Sequence, residues 1–178
     1  MKLQIANGTL LIRLVMGVTV ALGAGVHSRA EVLDRVLAIV GGEMITLTDV
    51  TAARDFGIVE PAGGDPIRDV LPRLIDRELI IAEVDRYAPP EPTDAEVETE
   101  YQLRRGRFAT AQDFDRALAG SGINEERLRE TLRQNLRIRA YLDQRFAAAA
   151  RERLVSDWVA GLRRRTEIVD LTITTPSR

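Results

Sequence analysis

The chain has 178 residues, 25 basic against 27 acidic, a formal net charge of −2, no cysteine and a single histidine, His27. This charge balance excludes a nucleic-acid footprint, and without cysteine no disulfide framework can form. Scarcity of His and Cys removes most side-chain routes to nucleophilic and zinc chemistry and turns the reading toward binding rather than catalysis.

Residues 1–30 read as a secretion signal. Lys2 and Arg13 supply positive charge, Leu14–Val26 is an uncharged and mostly apolar run, and Ser28-Arg29-Ala30 offers small residues for cleavage after Ala30. The run is shorter than the roughly 20 residues a bilayer span needs. The expected product begins at Glu31, without histidine and with a net charge of about −5. A retained inner-membrane anchor facing the periplasm is the alternative. An exported chain without cysteine suits a bacterial periplasm, its stability coming from packing. Lys2 is the only lysine, so every later basic residue is arginine.

Val36–Val40, Gly41-Gly42 and Glu43–Thr46 predict a hairpin, the two glycines supplying positive φ in a two-residue turn. Thr48 is the expected N-cap of a helix from Asp49 to about Phe56. Pro61–Gly64 is a loop. Asp65-Pro66 offers a cap and a first-turn proline, but Pro72 would cost an interior hydrogen bond. The robust helix is therefore placed from about Asp69 to Tyr87, its buried stripe carried by Leu71, Leu74, Ile75, Leu79 and Val84. After Pro89-Pro90-Glu91-Pro92, Thr93 and Glu96 form a capping box for a helix to about Arg104. Thr110 caps a helix to Ala119, and Gly120-Ser121-Gly122 is a turn. Asn124 caps a long helix to about Arg145, which Ala147–Ala150 joins, with or without a break, to a helix through Trp158 to about Arg164. Ile168, Val169, Leu171 and Ile173 form a β-prone run, the natural third strand of the hairpin. Thr174–Arg178 is read as a flexible tail. The fold class is mostly α, with a small β-hairpin completed by a C-terminal strand.

Several sites are missing. No glycine-rich loop with a lysine is present, so nucleotide binding by that route is excluded. Asp49, Asp65, Asp69 and Asp76 lack calcium-loop spacing. Ser121 has no histidine base, and Glu125-Glu126 and Asp94 with Glu96 sit at helix starts, where negative charge is favourable. No enzymatic activity, cofactor or metal is expected.

Three blocks in order resemble one family. The first is Glu31–Val50 (EVLDRVLAIVGGEMITLTDV). The second is Leu71–Ala82 (LPRLIDRELIIA), with its Leu-Ile-Asp-x-x-Leu-Ile pattern. The third runs from Pro92–Val97 through Phe108 and Phe114 to Leu128–Leu136. Together they resemble the N-terminal chaperone domain of SurA-like periplasmic chaperones, over roughly Val32–Phe146 with a weaker echo to Ile168. Some members carry a parvulin-type prolyl isomerase after the long helix; here Phe146 passes almost directly into the returning helix, so isomerase activity is not carried over. The resemblance implies one chaperone domain over 31–173, its main helical part at 31–146 and its returning helix and strand at 147–173. It implies ATP-independent binding of unfolded or extended polypeptides in an apolar cleft, with outer-membrane β-barrel precursors as family clients. A homo-dimer and a separate isomerase are further partners to test.

Met44, Tyr101, Phe108, Phe114, Tyr141 and Trp158 are the candidate peptide-binding residues, each also open to plain packing. Exposed backbone, aromatic side chains and arginine contribute to such binding without demanding one sequence. The competing expectation is an adaptor or structural subunit that uses the same groove for one dedicated partner or for self-association, tethered to a membrane in one version.

Overall fold

The computed structural model describes residues 34–59, 64–146 and 148–172. All of these fall within one unit, Leu33–Arg178. The expected signal and its cleavage point, most of the Pro61–Gly64 loop, Ala147, Ile173 and the tail lie outside the described residues. Among those described, six helices accompany a three-stranded antiparallel sheet of order β2-β1-β3.

β1 (Val36–Val40) and β2 (Glu43–Thr46) form the hairpin. Gly41 and Gly42 turn it with φ of 59° and 98°, the pairing a two-residue turn between twisted strands requires. Val36 faces Thr46 while Ala38 faces Ile45, so Leu37 is the extra residue of a bulge. The bulge resets the in–out alternation, and this is why Leu37 and Ala38, adjacent in sequence, are both fully buried. The central position of β1 is completed by β3 (Ile168–Asp170), with Ile39 opposite Val169.

α1 (Leu47–Asp55) begins earlier than the sequence suggested. Its cap is Thr46, not Thr48. The Thr46 hydroxyl accepts from the Asp49 amide at 3.3 Å, and the Asp49 carboxylate accepts from the Thr46 amide at 2.9 Å. This reciprocal box satisfies two orphan donors at once, whereas the Thr48 amide donates to Asp34. Thr46→Ala is expected to cost about 1 kcal/mol, read as a lowered urea midpoint with unchanged slope.

α2 (Pro66–Tyr87) also starts early. Asp65 accepts from the Ile67 and Arg68 amides at 2.8 and 3.1 Å, so cap and first-turn proline override the interior Pro72. Val70, Leu71, Leu74, Ile75, Leu79, Ile80 and Val84 are buried along it. Each such side chain contributes about 1.5–3 kcal/mol, enough to offset the hydrogen bond Pro72 forfeits. α2 is the axle of the molecule and touches α1, α5, α6, β1 and β2.

α3 (Asp94–Arg105) opens on the Thr93–Glu96 capping box. α4 (Ala111–Ser121) runs two residues beyond the expected stop and ends on Gly122, with φ of 73°. Ser121 is helical and buried, not part of a turn, because its hydroxyl donates to the Ala117 carbonyl at 2.8 Å. α5 (Glu125–Arg145) opens on Asn124. Phe146 is extended, and a 3-10 turn at Ala148–Ala150 separates α5 from α6 (Arg151–Arg165).

The core has three parts. Sheet, α1 and α2 share an aliphatic cluster that Leu162 of α6 joins. Phe56, Tyr101, Phe114, Leu118, Leu128 and Leu132 fill the space between α1, α3, α4 and α5. Ile80, Val84, Tyr141 and Val159 join α2, α5 and α6. Among the described residues, no helix is long and apolar enough to cross a membrane.

Candidate functional site

β2 pairs with β1 on one side only, so its other edge is unpaired within the sheet. Beside it, α1, α2 and α5 bound a groove of about 180 Å³. Met44, Ala52, Ile58, Ile123 and Leu128 supply its apolar lining, and Glu43, Asp49, Arg77, Glu78 and Arg127 its charges. Ile45 turns into the core while Met44, its neighbour on the opposite strand face, is 63% exposed.

Four of the five charges are already paired with one another. Arg77 donates from Nε to Asn135 at 2.9 Å, from one terminal nitrogen to Glu78 at 2.9 Å and from the other to Gln134 at 2.9 Å. Its side chain is only 11% exposed. Burial pulls the Arg77 guanidinium below its ordinary range, against the pull of Glu78. Burial pushes the Glu78 carboxyl up, against the pull of Arg77. Arg127 faces Asp49 at 3.6 Å. Arg77 is thus a tie between α2 and α5 rather than a hand free to grip a ligand. The groove offers a few apolar contacts among polar and charged groups, beside an open strand edge. Among the described residues, no group of three or more His, Cys, Asp or Glu is placed to hold a metal ion.

The six residues singled out from the sequence fall in three places. Met44 lines the groove. Tyr101, Phe108 and Phe114 lie together around Phe56, which sequence reading passed over. Phe114 stands 5.7, 5.6 and 5.4 Å from the Phe56, Tyr101 and Phe108 rings, all near edge-on. Tyr101 and Phe114 are 1% exposed, and Phe108 is half-buried. Arg129 lies over the Tyr101 ring at 3.7 Å, fixed by Glu98 at 3.2 Å and Glu125 at 2.9 Å. Burial, then hydrogen bonding to Glu125, pushes the Tyr101 phenol up to about 12. A folded-state value above the unfolded one confers stability that is complete below the unfolded value and lost as pH rises. Alkaline titration is therefore expected to show Tyr101 ionising only near pH 12, with stability falling from about pH 10 upward; tyrosinate absorbance in wild type and Tyr101→Phe checks this.

Tyr141 and Trp158 meet at the far end of α2. Tyr141 lies 5.7 Å from Tyr87 and 6.0 Å from Trp158, and Trp158 lies 5.5 Å from Phe146. Tyr87, Arg145 and Phe146 are additions from the structure. Each ends or adjoins the end of a helix, where hydrophobic periodicity carries little signal. The Arg77 tie was missed for a related reason: an arginine inside an apolar stripe gives no hint of the amides it will meet on α5.

No family model and no curated protein matches this sequence.

Proposed function

We propose that the protein is a non-enzymatic, ATP-independent holding chaperone, SurA-like without the isomerase, that binds unfolded or extended polypeptides in the groove beside β2. Outer-membrane β-barrel precursors crossing the periplasm are the clients this reading favours, with the chain exported and cleaved after Ala30. The observation that carries it is the coincidence of an unpaired strand edge with a groove of mixed apolar and polar lining and an exposed methionine. An extended chain laid along β2 gains main-chain hydrogen bonds whatever its sequence. Met44, unbranched and polarisable, adapts to differing side chains. The pairing of Arg77 with Glu78 and of Arg127 with Asp49 leaves few strong charges free to grip a client, which suits a carrier that must let go.

Light scattering tests it, as a denatured outer-membrane barrel protein is diluted into buffer with the purified protein and no nucleotide. Suppressed aggregation near stoichiometric amounts supports holding. Failure of a folded, soluble protein to suppress it favours an adaptor that keeps the groove for one partner or a second copy. Met44→Asp is expected to weaken client binding roughly tenfold, the cost of losing most of one buried apolar side chain. Its folding stability should stay within about 0.5 kcal/mol.

A further inference from the structure

Arg145 occupies an unusual position among the arginines of this chain. Its guanidinium carbon lies 5.8 Å from the Tyr87 ring centre, 5.8 Å from Tyr141, 5.7 Å from Phe146 and 5.4 Å from Trp158. Four rings therefore face one cation, each within the roughly 6 Å over which a ring quadrupole attracts it.

Arg129 sits 3.7 Å over a single ring and is held by two carboxylates. Arg145 is shared between four rings, is stacked closely on none and is exposed. Among the described residues no carboxylate pairs with it; Asp143, two positions before it, pairs with Arg151 instead. One arginine is locked and the other is merely lodged. Beneath Arg145, Tyr141 is only 5% exposed; burial pushes its phenol up while the Arg145 guanidinium pulls the other way, yet the hydroxyl makes no hydrogen bond of good geometry. A buried hydroxyl without a well-aligned partner normally costs about 1–3 kcal/mol, and an arriving guanidinium better aligned than Arg145 would satisfy it.

We propose that this aromatic row is a second polypeptide contact that receives arginine side chains of an extended client, with Arg145 as the resident stand-in that the client's guanidinium displaces. The site already holds a guanidinium, so that group's size and flatness fit it. Weak hydration makes a guanidinium cheaper to bring onto aromatic faces than an ammonium. Tyr87, 57% exposed, is the open side through which a client side chain enters. The choice of polypeptide as the carrier of the cation rests on the holding function proposed above; the cage itself does not.

Trp158 is the sole tryptophan, so its emission reports on the row directly. The purified protein is titrated with a capped Gly-Gly-Arg-Gly-Gly peptide, with the same peptide carrying Glu in the centre, and with tetramethylammonium chloride. The arginine peptide is expected to change Trp158 emission saturably and the glutamate peptide to leave it unchanged. Arg145→Ala should tighten the arginine peptide about fivefold by removing its competitor, and Tyr87→Leu should weaken it about as much. Arg145→Gln, which keeps the stem over the rings, is read alongside and should also tighten. The idea is overturned if neither Arg145 variant binds more tightly, or if the glutamate peptide binds as well as the arginine one. A response to tetramethylammonium alone overturns the assignment to polypeptide. A Trp158 response without any suppression of aggregation defeats the holding function and leaves the cage standing. Suppression without a Trp158 response does the reverse.

Discussion

Phe114→Ala is expected to lower stability by about 4 kcal/mol. The ring is 1% exposed and meets Phe56, Tyr101 and Phe108 at 5.7, 5.6 and 5.4 Å. Truncation loses the transfer energy of the ring, leaves a cavity between α1, α3 and α4, and breaks three edge-on contacts worth about 0.5–1.5 kcal/mol each in favourable cases. Against the 5–15 kcal/mol typical of a domain, that places the variant near the edge of folding at about 25 °C. Urea unfolding followed at Trp158 measures it. Phe114→Leu, which refills most of the volume, should cost far less. A loss below about 1 kcal/mol for the alanine variant would instead put Phe114 on a solvent-facing wall and return it to the binding role that its sequence context first suggested.

Arg77→Met is expected to cost about 3 kcal/mol. The substitution strands the Glu78 carboxylate and removes the donors that Asn135 and Gln134 now accept from. The penalty has a pH signature. Glu78 already sits above the ordinary carboxylate value of 4.5 because of burial, with Arg77 pulling it back. Without Arg77 its folded-state value rises further. The folded state then holds its proton more tightly than the unfolded state, a stabilisation present in acid and lost as pH rises. Arg77→Met should therefore be closest to wild type below the ordinary carboxylate value and worst at neutral pH. The double variant Arg77→Met/Glu78→Leu should recover much of the loss at neutral pH, since no lone charge is left behind. Equal penalties in acid and at neutrality would mean that Arg77 acts through packing of its stem rather than through its charge.

Most of the architecture was legible in local signals. Gly41-Gly42, the Thr93–Glu96 box and the Asn124 cap act within a few residues, and hairpin, α3 and α5 begin where those residues say. The misplaced starts of α1 and α2 arose where two local signals competed. Thr46 and Thr48 both offer a hydroxyl, but only Thr46 stands three residues before an aspartate that can answer it. Pro72 argued against the Asp65-Pro66 start, and the burial along α2 that outweighs it is a tertiary quantity. The site was less legible. Composition identifies aromatic residues but not which face each will share, because Tyr101 and Phe114 are separated from Phe56 by whole helices. Tyr87, Arg145, Phe146 and Trp158 converge only after the break at Ala148–Ala150 turns α6 back along α2, and that break lies in an alanine run that suits a continuous helix equally well.

The pairing of β3 with β1 also orders events in time. A chain is made from its N-terminus, so β1 is synthesised long before its partner Ile168–Asp170. Until then the middle strand has one flank uncovered, and a chain that stops short of Ile168 would leave it so permanently. Contacts this distant in sequence are slow to form, because the loop between them must close before the pairing rewards it. During that interval the hairpin is itself an adhesive, unfinished surface, of the same kind that a holding chaperone exists to cover. A chain cut after Arg165 is therefore expected to self-associate rather than fold to a slightly smaller version of this domain.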